Sequence, residues 1–149
     1  MVRVGAAAVG DSADWLRMRR ALWPGDDDDH SREIEQYFAG TLREPLEVLI
    51  AFDEDGRAIG MAELFIRNHA EDCETDRVAY LEGWYVDPGA RRQGVGRALI
   101  AAAEDWARRQ GCTEFGSDAL IDNDLSARAH LALGFEETAQ IRCFRKILR

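Results

Sequence analysis

The sequence holds three cysteines, Cys73, Cys112 and Cys143, and no Cys-x-x-Cys pair. An odd, scattered set argues against a disulfide framework or a structural zinc site. It fits a reducing cytoplasm, with each thiol a small buried or incidental residue. Long apolar runs are also missing. The longest, Val48–Phe52 and Ala98–Ala103, fall far short of the roughly 20 residues a membrane helix needs. The opening Met1-Val-Arg-Val-Gly5 lacks the apolar centre of a signal peptide and reads as the start of a strand. Positive charge is scarce: 19 Lys+Arg stand against 28 Asp+Glu, leaving −9 at pH 7. Such a surface repels polyanions, whose binding rests on phosphate contacts, and so argues against a nucleic-acid partner. It attracts cationic small molecules or basic peptides, although acidity also serves plain solubility. Internal repeats are absent. The one low-complexity patch, Asp26–Asp29, is expected to be a solvated loop that also steers cations.

What is present suffices for one domain across residues 1–149, with 46% hydrophobic and 32% charged residues. Val2–Ala7 reads as a strand. Ser12 offers an N-cap to a helix with Trp15, Met18 and Leu22 on one face, ended by Pro24. A second helix is expected from Ser31, with Ile34, Phe38 and Leu42 spaced four apart. Glu47–Phe52 and Ile59–Arg67 form a hairpin around Asp53-Glu-Asp-Gly56. Val78–Val86 is the next strand. Val95–Gln110 is a long helix, Glu114–Ala119 a short strand, Leu125–Leu133 a helix and Glu137–Leu148 a last strand. The order β-α-α-β-β-β-α-β-α-β makes a mixed α+β sheet flanked by helices. The strands on either side of the Val95 helix should be parallel neighbours.

Between strand and helix lies Arg91-Arg-Gln-Gly94-Val-Gly96-Arg97. Glycines let backbone N–H groups approach a ligand, and a helix N-terminus favours negative charge. Three arginines there oppose the helix dipole unless an anion sits among them, so the loop points to a phosphate ligand. A Walker A loop needs Gly-Lys-Ser/Thr, which is missing. A dinucleotide fingerprint needs a third glycine where Leu99 stands, and a shorter link than the seven residues between Val86 and Gly94.

Arg91-x-x-Gly94-x-Gly96, the element order and the junction Ala132-Leu-Gly-Phe135 resemble the GNAT superfamily of acetyl-CoA-dependent N-acetyltransferases. Within it, Leu22-Trp-Pro-Gly25, Leu81-Glu-Gly83, Ser117-Asp118 and Ala132-Leu-Gly-Phe-Glu-Glu-Thr138 are similar to the aminoglycoside 6'-N-acetyltransferases. The resemblance implies an acyl-CoA N-acyltransferase fold and acetyl transfer from acetyl-CoA to an aminoglycoside 6'-amine. It implies no metal, and relatives of this type are commonly homodimers. Direct attack in a ternary complex is expected, because no cysteine has a paired base in the sequence to carry the acyl group.

By the same resemblance, Arg92, Gln93, Gly94, Val95, Gly96 and Arg97 hold the pyrophosphate. The backbone of Trp84, Tyr85 and Val86 meets the pantetheine and faces the thioester carbonyl. Asn123 matches a pantetheine contact, though Asp122-Asn-Asp124 suits a turn or cap equally. Glu82 matches the acidic residue that binds the amine-bearing ring and acts as general base; as a residue type in an apolar strand, it also suits a core ion pair. A carboxylate that holds an ammonium also raises its pKa, so base catalysis needs a relay or partial desolvation. Asp118 matches a second amine-binding carboxylate, or caps a turn. Trp23 matches a substrate-contacting tryptophan, or belongs to the core. His130 stands where many superfamily members carry the tyrosine that protonates the CoA thiolate, or is structural.

Two departures touch the substrate spectrum. Asn68-His69-Ala70 lacks a tyrosine that relatives place there, and Ala139 stands where they carry a substrate-binding glutamate. Glu136 and Glu137 lie nearby, but on a strand they would face opposite sides. The same chemistry on a polyamine, a metabolite or a protein N-terminus is the first rival reading, and a non-catalytic acyl-CoA-binding module the second.

Overall fold

The computed structural model describes residues 1–25 and 27–149, Asp27 by its backbone. Five strands form one sheet in sequence order: β1 (Arg3–Ala6), β2 (Glu47–Phe52), β3 (Ala58–Arg67), β4 (Val78–Val86) and β5 (Phe115–Ser117). The first four pair antiparallel, and β4 and β5 pair parallel across helix α3 (Val95–Arg109). That crossover is the one the sequence pattern requires. Helices α1 (Ser12–Leu22) and α2 (Asp27–Ala39) precede β2, and α4 (Asp124–Ala132) follows β5.

Strand alternation divides the core in two. Leu49, Ala51, Ala62, Leu64, Ala79 and Leu81 pack against Leu99, Ile100, Ala103 and Trp106 of α3. Val48, Ile50 and Met61 pack on the other face against Trp15 and Met18 of α1 and Ile34 of α2. Each fully buried side chain of this size contributes about 1.5–3 kcal/mol, enough to fix which face of each strand turns inward.

One irregularity positions the site. Glu63 pairs with Gly83 and Leu64 with Leu81, which leaves Glu82 as the extra residue of a β-bulge. The side-chain alternation of β4 therefore slips by one. Ala79 and Leu81 face α3, and beyond the bulge Trp84 and Val86 do, which brings Glu82 and Gly83 to the α1 side. Re-aiming a side chain is what a bulge beside a functional site does.

Five expectations change. Helix α2 ends at Ala39, before Gly40 with its left-handed φ of 75°, so Leu42 lies beyond it. Helix α2 begins at Asp27, so Asp27–Asp29 is helix rather than loop; Asp26 lies outside the described residues. Acidic residues in a first helical turn favour helix over coil through the dipole. Ser12 is the first residue of α1 rather than its N-cap, and its hydroxyl donates to the Val9 carbonyl at 2.6 Å. Strand β5 is only three residues long. Among the described residues no strand follows α4, and residues 136–149 are exposed. The outer edge of β5 stays unpaired among the described residues, and strand-like composition without a ladder partner does not make a strand. No helix among the described residues is long and apolar enough to cross a membrane.

Candidate active site

Strands β4 and β5 pair only at Ala79–Phe115, Tyr80–Gly116 and Leu81–Ser117. From Glu82 to Val86, β4 runs on without β5 beside it, and this unpaired edge of β4 is the candidate cleft. The N-terminus of α3 closes one end of it. Gly94 caps that helix at φ 81°, a left-handed conformation glycine adopts without strain. Arg92 is also left-handed, at φ 66°. Left-handed residues among right-handed ones turn consecutive N–H groups to one side and form an anion nest. The first N–H groups of a helix have no partner inside it, and the first turn of α3 carries no acidic residue. Gly94, Arg92, Gln93 and Arg97 are exposed, while Val95 anchors the turn in the core. The Arg91 Nε donates to the Val86 carbonyl and the Gln93 amide to that of Gly89, both at 3.3 Å, tying the loop to the end of β4.

The Trp84 indole lies against Gly96, and its Nε1–H is buried without a hydrogen-bond partner among the described residues. An orphaned buried donor costs free energy that a bound acceptor would recover. Nest, helix terminus and orphan donor together suit a ligand with a diphosphate and a polar arm, and acyl-CoA fits.

The other end of the cleft holds carboxylates. Glu82 receives two hydrogen bonds from Arg67, Nε to Oε2 at 2.9 Å and Nη2 to Oε1 at 2.8 Å. The Arg67 guanidinium stacks on Tyr80, 3.5 Å from the ring centroid, and the Tyr80 hydroxyl donates to Asp118 Oδ2 at 2.8 Å. The hydrogen bond to Glu82 raises the Arg67 pKa above its ordinary value. Burial, then the hydrogen bond to Asp118, push the Tyr80 phenol well above its own. Glu82 thus has the ion pair that its residue type called for, at a half-exposed position facing the cleft.

Trp23 forms the wall beside Glu82. Its ring lies so close to Gly83 that a Cβ there would stand 2.5 Å from Cη2, so only glycine lets the indole lie flat on β4. A buried polar network supports it from behind. His30 Nε2–H donates to the Trp23 carbonyl at 2.8 Å, and His30 Nδ1 accepts from Arg19 Nη1 at 3.3 Å. Arg19 binds Glu63 through Nε and Nη2 at 2.7 and 2.8 Å and reaches Glu33 at 2.6 Å. Trp15 Nε1 also donates to Glu63, at 2.9 Å. Burial works against the Arg19 charge, but its hydrogen bonds to Glu63 and Glu33 and their negative charges outweigh it and raise its pKa.

His130 on α4 faces the end of β5. The Ser126 carbonyl, 2.7 Å from Nδ1, can only accept, so Nδ1 carries the proton and Nε2 accepts from the Ser117 hydroxyl at 2.7 Å. Its ring meets Trp84 edge-on at 5.2 Å and Phe135 at 5.1 Å. Asn123 is the N-cap of α4, its Oδ1 accepting from the Ser126 N–H at 3.1 Å, which realises the capping alternative.

The structure brings Glu82, Asp118 and Trp23 to one end of the cleft and residues 92–97 with Trp84 to the other, with His130 beside Trp84. Arg67, Tyr80, Ser117 and the Arg19–Glu63–His30 network went unassigned in the sequence. One signal was available: Glu63 and Arg67 share a face of β3 with Met61, a core residue, so two charges had to find partners there.

Residues 13–135 match the acetyltransferase (GNAT) family. The aminoglycoside N(6')-acetyltransferase type 1 of Klebsiella aerogenes is 58% identical over 139 residues, covering 93% of this chain and 91% of the relative. The crystal structure of aminoglycoside 6'-N-acetyltransferase AAC(6')-Ig from Acinetobacter haemolyticus superposes with a TM-score of 0.90 at 38% identity, over 99% of both chains. AAC(6')-Iy, in complex with the bisubstrate analogue CoA-S-monomethyl-acetylneamine, superposes with a TM-score of 0.91 at 35% identity, again over 99% of both. A family match over most of the chain and relatives this similar along it lead to one assignment: the chain belongs to the acetyltransferase (GNAT) family.

Proposed function

We propose that this chain, one GNAT domain over residues 1–149, is an aminoglycoside 6'-N-acetyltransferase that inactivates the antibiotic with acetyl from acetyl-CoA. The observation that carries this reading is the two-ended cleft: an anion nest at Gly94–Gly96 and two carboxylates, Glu82 and Asp118, at the far end. Paired carboxylates suit an acceptor with several ammonium groups, and the relatives' names supply the substrate class.

Acetyl-CoA supplies the activated acetyl carbon. The amides and arginines of residues 92–97 grip its diphosphate, and Trp84, Tyr85 and Val86 offer backbone groups along the unpaired stretch of β4. Glu82 holds the 6'-amine and takes its proton, Asp118 holds a second amine, and Trp23 walls the cleft. Asn123 flanks the pantetheine while capping α4. The C–S bond breaks as the C–N bond forms, and the departing thiolate leaves as the thiol with a proton from His130, which is held by Ser126 and Ser117 and regains its proton from solvent. Attack is direct, within a ternary complex.

The working compartment is the cytoplasm, which suits three free cysteines. The enzyme is a homodimer. In support, the tail exposes Ile141, Phe144, Ile147 and Leu148, Phe144 by 91%, while the outer edge of β5 carries no strand among the described residues. A second copy supplies an equivalent tail, and exchanged tails would bury both liabilities. Sedimentation equilibrium of the full chain tests this, and a monomer at micromolar concentration overturns it.

Thiol release from acetyl-CoA tests the activity, with kanamycin, tobramycin and a panel of spermidine, small amines and peptides as acceptors. Release with the aminoglycosides is expected. Release only with spermidine or a peptide leaves the family but defeats the drug assignment. Glu82→Gln should lose turnover by at least about a hundredfold while acetyl-CoA binding holds; a pure binding module would have no turnover to lose.

A further inference from the structure

We propose that Arg67 is a resident cation of the amine site, a specificity-determining residue that occupies Glu82 until a polycationic acceptor displaces it. The inference rests on the assignment of Glu82 to the acceptor amine made above.

Both Glu82 oxygens are taken by Arg67, at 2.8 and 2.9 Å, so an incoming ammonium meets a carboxylate that already has a partner. Guanidinium stays protonated at any working pH, and the Glu82 hydrogen bond raises its pKa further. Arg67 therefore leaves only by moving. Three features let it move. The side chains of the pair are 37% and 21% exposed, so water reaches both ions. The guanidinium rests on the flat face of Tyr80, a surface it can pivot on. Arg67 also borders an open hollow of about 340 Å³ with Arg43, Glu44, Phe65, Ile66, Asn68 and His69, where Glu44 supplies another carboxylate beside the like charge of Arg43.

The charge balance sets the selectivity. Glu82 and Asp118 carry two negative charges, and Arg67 offsets one. An acceptor with one ammonium exchanges cation for cation at Glu82 and gains little. An acceptor with several engages Glu82 and, through the Tyr80–Asp118 end, a second carboxylate to which Arg67 makes no hydrogen bond. The resident arginine thus discriminates against monoamines at some cost in affinity for the polycation.

Arg67→Gln removes the competitor and keeps a polar side chain, and Arg67→Lys keeps the charge without the two-point hold. Kinetics with kanamycin and with a monoamine such as cyclohexylmethylamine are measured for wild type and both variants. Guanidinium binding is followed by the NMR shift of the Gly83 amide, next to Glu82. In Arg67→Gln the kanamycin KM should fall about threefold or more, and the kanamycin preference over the monoamine should narrow by about tenfold. Guanidinium should shift Gly83 in Arg67→Gln and not in wild type. Arg67→Lys should lie between the two. A kanamycin KM that rises or holds in both folded variants, with no guanidinium binding, overturns the proposal. Absent kanamycin turnover by wild type, with guanidinium still bound by Arg67→Gln alone, overturns the aminoglycoside assignment and upholds Arg67 as resident cation.

Discussion

Two arginine–glutamate pairs lie on the same face of the sheet with nearly the same geometry and different surroundings. Arg19 grips Glu63 at 2.7 and 2.8 Å, and Arg67 grips Glu82 at 2.9 and 2.8 Å. The side chains of the first pair are 6% and 3% exposed, those of the second 37% and 21%. Charges in the first pair have no water to fall back on, so Trp15, Glu33 and His30 must satisfy what remains of their bonding capacity. The second pair can exchange partners, because solvent lowers the cost of parting. Bidentate geometry alone does not separate scaffold from site. Burial and the completeness of the surrounding hydrogen bonds do.

Breaking the buried pair should give the largest effect. Among the described residues, Glu63→Gln leaves the buried Arg19 guanidinium with Glu33 as its one remaining carboxylate and should cost about 3–5 kcal/mol of folding stability, measured by urea or thermal unfolding. Glu82→Gln should cost no more than about 1 kcal/mol in the same experiment. Equal losses in the two variants would erase the distinction between scaffold and site.

That distinction was only partly legible in the sequence. The strand–helix–strand crossover, the glycine loop and the carboxylate in Val78–Val86 all follow from local pattern, and the structure has them where the pattern puts them. Glu82's partner was not readable, because Arg67 reaches it across a strand pair whose register shifts at a bulge. The bulge depends on the tertiary fit of Gly83 beneath Trp23, which no period-2 pattern encodes. The tail from Glu137 to Leu148 reads as a strand because its composition is strand-like, yet pairing is a property of two edges, and the tail does not lie on the free edge of β5. The start of α2 was misplaced for a simpler reason: four aspartates look like a loop until the helix dipole that favours them is counted.

Trp23 lies between the two pairs: its carbonyl bonds His30 and its ring covers Gly83. Gly83→Ala would place a Cβ 2.5 Å from that ring. The indole must shift, at about 1–3 kcal/mol. The expected sign of a cleft wall is a raised KM for the aminoglycoside with acetyl-CoA affinity unchanged. A stability loss without any change in KM would make Trp23 part of the scaffold alone.

The smallest effects come from two tyrosines that report on the two pairs. Burial, then Glu47, push the Tyr37 phenol up to about 12, and Glu63 adds to the rise. Tyr80 is raised by burial and by Asp118, with Arg67 pulling down and Glu82 pushing up. An unfolded tyrosine loses its proton near about 10, so between about 10 and about 12 the native state keeps a Tyr37 proton that the unfolded chain has lost. Tyr37 therefore contributes stability below about 10 that disappears as pH rises towards about 12. Tyr37→Phe should flatten that slope in unfolding measured as a function of pH. Tyrosinate absorbance then separates the reporters. Glu63→Gln should lower the Tyr37 titration, because a repelling negative charge is gone. Arg67→Gln should raise that of Tyr80, because a cation has left its ring face. If Arg67→Gln leaves Tyr80 where it was, the guanidinium spends its time elsewhere, and the open pair is looser than its distances suggest.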